Sequence, residues 1–263
     1  MIDTHCHLDD PVYADDFEAV LSAQQAAGVE RILVPGVDAT NMDAVLDVCT
    51  RSNGYLLPAI GLHPENILAD WEQQLDAIHT RLFAPQSPYI AIGEIGLDYH
   101  TDTTYKEEQK EAFRRQMRWA QEKDLPAMIH CREATEDCLD IIRQTNSEAA
   151  GKGLSAIRGV MHCFSGSYET ARQIVDMGLY LGIGGVITFK NCKLKEHLHG
   201  IPLERLVLET DAPYMTPVPY RGKRNESRYM TYVMDALGEV YGLAPAEIDF
   251  QTTLNTKTLF GLS

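Results

Sequence analysis

Short apolar runs rich in β-branched residues alternate with longer segments whose apolar positions recur every three or four residues, from one end of the chain to the other. The first kind of run suits a strand buried on both faces and the second an amphipathic helix. The pattern is therefore that of repeated βα units around a parallel sheet. Strands are predicted near 2–6, 31–35, 56–61, 89–94, 126–131, 157–163, 179–183 and 205–210. Helices near 15–27, 40–52, 70–84, 105–123, 134–148, 168–177, 193–199 and 227–241 complete the alternation, and a short tail follows the eighth. Ala27-Gly28 and Met177-Gly178 put a glycine just past a last helical turn, and Asp124-Leu125-Pro126 breaks a long helix before the next strand. No low-complexity linker or internal repeat interrupts the series, so residues 1–263 read as one domain of the (β/α)8 TIM barrel class.

Composition supports a folded, water-soluble chain: 44% of residues are hydrophobic and 23% charged, enough apolar material for a sizeable core. No stretch approaches the roughly 20 apolar residues of a membrane helix, and Met1-Ile2-Asp3-Thr4-His5 is not the basic-then-apolar start of a secretion signal. A cytoplasmic location is the expectation, with no obligate protein partner evident. The six cysteines are scattered without a CxxC pair, which argues against a disulfide framework or a zinc ribbon. A formal net charge of −15 repels polyanions at long range and excludes a protein that coats nucleic acid through a broad basic surface, while leaving room for a local cationic pocket.

In a (β/α)8 barrel chemistry sits at the carboxyl ends of the strands, so polar residues with chemical use should gather where the apolar runs stop. They do. The first run ends in His5-Cys6-His7, whose two imidazoles share a face; such a pair alone is equally a pair of hydrogen-bonded histidines. The fourth run ends in Glu94, a carboxylate costly to bury without a cation partner. The fifth and sixth end in Met128-Ile129-His130-Cys131-Arg132 and Val160-Met161-His162-Cys163-Phe164, and this repetition on consecutive strands is what ligands converging on one site require. The eighth delivers Glu209 and Asp211 on one side, so one can ligate and the other support it; the third adds His63. Alternation sends Cys6, Cys131 and Cys163 away from the histidine face, which excludes them as ligands. His79, His100, His197 and His199 fall in helices or loops and receive no role.

These residues lie within motifs that together resemble the TatD family of metal-dependent deoxyribonucleases, within the amidohydrolase superfamily: His5-Cys-His7, GLHP at 61–64, GEIGLDY at 93–99, HCRE at 130–133, HCFSG at 162–166 and ETDAPY at 209–214. The segment Arg221-Gly-Lys-Arg-Asn-Glu226-Ser227 is similar to the family's Arg-Gly-x-x-Asn-Glu-Pro, with Ser227 in place of proline. The resemblance implies two divalent ions, one held by His5, His7, Glu94 and Asp211 and the other by Glu94, His130 and His162, with Glu94 bridging. It also implies hydrolysis of DNA phosphodiester bonds, single strands or chain ends, in some members as an exonuclease. Zn, Mn and Mg are all candidates, magnesium preferring oxygen-rich sites.

Two such cations activate water directly, which agrees with the absence of a GxSxG elbow and of a phosphate loop with its Lys-Ser/Thr. On the amidohydrolase pattern Asp211 also takes the proton of the attacking water, with His63 orienting or protonating the leaving group. Arg132 and Arg224 are expected to bind phosphate oxygens, unless they serve in surface ion pairs, and Tyr214 to stack a base. Two other readings fit the same residues: a hydrolase of a small ester, amide or phosphoester, and a barrel with a merely structural metal.

Overall fold

A computed structural model describes residues 1–263. Its strands are β1 Ile2–Asp3, β2 Arg31–Val34, β3 Leu56–Ile60, β4 Ala91–Asp98, β5 Ala127–Arg132, β6 Gly159–Met161, β7 Tyr180–Ile183 and β8 Leu206–Leu208. Its helices are α1 Phe17–Ala26, α2 Met42–Arg51, α3 Trp71–Leu82, α4 Lys106–Lys123, α5 Thr135–Gly151, α6 Tyr168–Asp176, α7 Leu194–His197, α8 Met230–Tyr241 and α9 Pro245–Phe260. The strands form one eight-stranded sheet in chain order, with helices between them, so the fold class is the (β/α)8 barrel. The chain sorts into two compact units, one of Met1–Val34, Val48–Leu57 and Cys163–Ser263, the other of Pro35–Asp47 and Pro58–His162.

In the first unit β1 pairs with β2 in parallel, and its continuation meets the end of β8. The Thr4 amide donates to the Leu208 carbonyl at 3.0 Å, and the His7 amide to the Ala212 carbonyl at 2.8 Å. The first and last strands are thus joined. Ile32, Leu33, Leu181, Ile183, Leu206 and Val207 are fully buried here, each contributing about 1.5–3 kcal/mol by leaving water. Beyond α8, where the pattern predicts only a short tail, stands the 16-residue helix α9. Its buried face is Ile248, Thr252, Asn255, Thr256, Leu259 and Phe260, half of it polar. Thr252 and Thr256 turn their hydroxyls back to the carbonyls of Ile248 and Thr252, and Asn255 donates to the Leu203 and Leu206 carbonyls at 2.8 and 2.7 Å. A helix whose inner face satisfies itself by hydrogen bonds gives little apolar periodicity to read.

In the second unit β4 is buried along its whole length and pairs in parallel with β3 and β5. It does not stop at Glu94 as predicted but runs to Asp98, because Ile95 and Leu97 continue the apolar run. The pairing with β5 shifts between Ile92 and Ile95, and from there Gly96 lies opposite His130. Gly96 has φ +148, and a Cβ there would meet the His130 carbonyl oxygen. Without a side chain at that point, the backbone of β4 can approach that of β5 closely beside His130. Two buried glutamines of α4 fix the neighbouring loops: Gln116 accepts from the Leu62 amide at 2.7 Å, and Gln109 from the Asp98 amide at 2.9 Å. The strands β1, β6 and β8 are shorter than predicted, so His5 and His162, predicted within strands, lie just past them, as do His7 and Asp211.

Candidate metal centre

Each unit gathers its own set of donors. In the first, His5 and His7 follow β1 and bring their Nε2 atoms to 3.3 Å, with the rings 5.0 Å apart and steeply inclined. The Asp211 carboxylate lies 3.5 Å from His7 Nε2 and 3.9 Å from His5 Nε2. Asp211 has φ +56, and its amide donates to the His5 carbonyl at 2.9 Å, so backbone holds the carboxylate beside the two imidazoles.

Behind these donors sits Asp3, fully buried, which accepts the Thr210 hydroxyl at 2.6 Å and the His5 and Thr210 amides at 3.1 Å each. Burial pushes its carboxyl up to about 7, against the pull of those hydrogen bonds. Asn225, also buried, donates its amide to the Thr210 carbonyl at 2.9 Å and the Tyr214 carbonyl at 2.6 Å. It thereby staples the turn that carries Asp211. Glu209 points its carboxylate at the Cys163 amide, 2.6 Å away, into space that any side chain at Gly182 would fill.

Arg224 forks onto Asp16 at 2.8 and 2.7 Å and also donates to the Val12 carbonyl at 3.0 Å and to Glu226 at 3.3 Å. Those bonds use both terminal nitrogens, and the Asp16 hydrogen bond raises the guanidinium pKa first among their effects. Arg132 is different: exposed on the end of β5, it makes no ion pair or side-chain hydrogen bond. Tyr214 is 55% exposed, its ring centre 6.2 Å from that of His7. Phe164 is buried at 5% exposure and packs in the rim.

The second unit builds its set around Glu94, 3% exposed. Its Oε1 has His130 Nδ1 at 2.9 Å, His63 Nε2 at 3.4 Å and His162 Nε2 at 3.8 Å. One carboxylate oxygen thus faces three imidazoles, His130 on β5 and His63 and His162 just past β3 and β6. The donor atoms of His63, Glu94 and His130 lie within 4.8 Å of one another, close enough to ligate one ion. Imidazole and carboxylate together suit a divalent transition metal. His63 accepts the Glu65 amide at Nδ1, 3.1 Å away, so its proton sits on Nε2, the atom facing Glu94.

Asp98, which the strand-end reading passed over, lies 2% exposed with Oδ2 2.8 Å from His130 Nε2. His130 is therefore gripped at both nitrogens. Burial lowers its pKa, but the hydrogen bonds of Asp98 and Glu94 outweigh that and push it up to about 9 from 6.5. His63 and His162 are the other titratable groups against it. A group raised on folding stabilises fully below its unfolded pKa and loses that contribution as pH rises through the folded value. The melting temperature of the metal-free protein is expected to fall between pH 7 and 9, and Asp98→Asn should flatten that slope. Thermal unfolding in chelator checks this; an unchanged slope in the variant contradicts the assignment.

The signal for Asp98 was present in its even spacing from Glu94, which puts both on one face of β4. Asp3 stands in the same relation to His5.

Residues 2–261 match the sequence pattern of the family described as TatD related DNase. An uncharacterized metal-dependent hydrolase, YabD of Bacillus subtilis, is 41% identical over the full length of both chains. The 3'-5' ssDNA/RNA exonuclease TatD of Klebsiella pneumoniae is 31% identical, covering 100% of this chain and 98% of that one. The crystal structure of the TatD homologue YjjV from Escherichia coli superposes with a TM-score of 0.91 at 32% identity, over 100% and 98% of the two chains.

Proposed function

The chain belongs to the TatD-related DNase family of metal-dependent hydrolases, and from that premise we propose that it cleaves phosphodiester bonds of single-stranded DNA or of DNA ends, as a 3'-5' exonuclease. The observation that carries the reading is the single buried oxygen of Glu94 faced by three imidazoles, a cluster whose donor chemistry calls for a cation. No helix is long and apolar enough to cross a membrane.

In this proposal residues 1–263 act as one barrel domain. His5, His7, Glu94 and Asp211 hold one divalent ion and Glu94, His130 and His162 a second. When bound, the ions supply a water acidified toward neutrality and a clamp on the attacking and leaving oxygens. Asp211 accepts the proton of the attacking water on its carboxylate. His63 offers its Nε2 proton to the leaving oxygen, an assignment supported by the hydrogen bond that occupies Nδ1. Arg132, whose guanidinium has no carboxylate partner, binds a phosphate oxygen. Arg224 reaches phosphate only by releasing Asp16 or Glu226, so its part is to hold the loop that precedes Asn225. Asp98 orients His130 as a carboxylate behind a metal-binding imidazole.

Chelator-treated protein is expected to lose cleavage of a single-stranded oligonucleotide and to regain it with one of Mn, Zn or Mg. Rapid hydrolysis of a small ester with slow oligonucleotide cleavage would move the assignment to a small-molecule hydrolase. Binding of metal with no hydrolysis of either substrate would leave a structural metal site.

A further inference from the structure

Beside Tyr214 the first unit holds a pocket of about 630 Å³, within the roughly 300–1,000 Å³ span of small-molecule sites. Its walls include Tyr214, Met215, Phe189, Arg221 and Lys223. Tyr214 and Met215 leave 55% and 45% of their surface exposed, an apolar and aromatic ledge that nothing in the fold covers. Across from it the Arg221 guanidinium lies over the Phe189 ring, 4.0 Å from its centre.

The charge here runs against the rest of the molecule. In a chain of net charge −15, basic residues such as Arg81, Arg118 and Arg158 each face a carboxylate. Arg221 and Lys223 are exposed and have no ion-pair partner. Asp10, the one carboxylate on the wall, accepts the Val12 amide at 2.8 Å and the Tyr214 hydroxyl at 3.3 Å, which fixes the tyrosine ring.

The loop that carries the two cations is anchored at both ends. The Val218 amide donates to the Thr188 hydroxyl at 2.9 Å, and the Tyr220 ring stacks on Tyr229 with centres 4.7 Å apart. At the far end Arg224 is locked to Asp16. A site built in advance loses less entropy when it binds.

We propose that this pocket is an anchoring subsite for one nucleotide of a single-stranded nucleic acid, adjacent to the bond that is cut. Its base lies on the Tyr214–Met215 ledge and its phosphate between Arg221 and Lys223. Stacking on an aromatic face accepts any base and requires it unpaired, so the subsite selects single strands without reading sequence. It also supplies the local attraction by which an acidic protein takes a polyanion. The inference rests on the nuclease reading above and adds the residues that give it strand preference.

The test uses metal-loaded full-length protein with two substrates, single-stranded oligothymidylate and bis(p-nitrophenyl) phosphate. Arg221→Ala/Lys223→Ala is expected to raise the ratio of oligonucleotide KM to small-diester KM about ten-fold, and to flatten the salt dependence of oligonucleotide binding by about 0.7 in log–log slope, the value for one phosphate neutralised on a single strand. Phe189→Leu keeps both charges but removes the ring beneath Arg221; it should raise the same ratio about five-fold with the salt slope unchanged. An unchanged ratio in both variants, or equal changes for the two substrates, overturns the subsite. Anisotropy of labelled oligothymidylate separates this from the wider reading. Wild-type protein that binds the strand through Arg221 and Lys223 but never cleaves it supports the pocket and overturns the nuclease. Cleavage with an unaltered ratio does the reverse.

Discussion

Asp211→Asn is expected to cut hydrolysis of every phosphodiester by about 10³-fold or more while leaving the fold intact. The general-base share of such a loss is typically about 10²–10⁴-fold, and weakened metal ligation adds to it. Asparagine suits the position in every other respect. Residue 211 has φ +56, a conformation that asparagine tolerates, and its amide bond to the His5 carbonyl does not involve the side chain. What disappears is the negative charge beside His5 and His7, and with it the capacity to take a proton. A melting temperature close to wild type together with near-zero turnover is the predicted pair of results. Retained turnover with metal still bound would remove Asp211 from the mechanism.

Glu94→Ala should have the second large effect, on metal content as well as rate. One oxygen of this carboxylate lies within 4 Å of three imidazoles, so its loss unties His63, His130 and His162 together. Metal content is expected to fall from the proposed two ions per chain to fewer than one, with activity lost in parallel. The metal-free protein should also be less stable by about 1–3 kcal/mol, the cost of leaving a buried charged group short of a hydrogen bond. The cost stays moderate because Asp98 still grips His130 Nε2. Elemental analysis and unfolding in chelator measure the two parts separately. Full metal content in the variant would refute a bridging role.

The ligand-type residues were legible because a parallel strand buried on both faces has few reasons to end in histidine or glutamate, so each such ending stood out against its apolar run. Residues that act behind them were hidden by the same rule. Asp3 sits within the first run and Asp98 within the continuation of the fourth, where a carboxylate reads as an interruption until its partners, Thr210 and His130, are seen. Those partners come from strands remote in sequence, and periodicity carries no information about them. Helix α9 escaped for a local reason: its inner face is half threonine and asparagine, whose hydrogen bonds do the work that apolar contact does elsewhere. Arg224 was readable as a cation near a phosphate, but its engagement with Asp16, more than two hundred positions away, lies outside what spacing can convey.

In the proposed centre the donors of the two sets share a pair of cations through Glu94. Anomalous diffraction from crystals soaked in manganese tests this directly. Two peaks about 3.5–4 Å apart are predicted, one ligated by His5 and His7, the other by His130 and His162, with the Glu94 carboxylate between them. A single peak confined to one set, or two peaks too far apart to share Glu94, would contradict it.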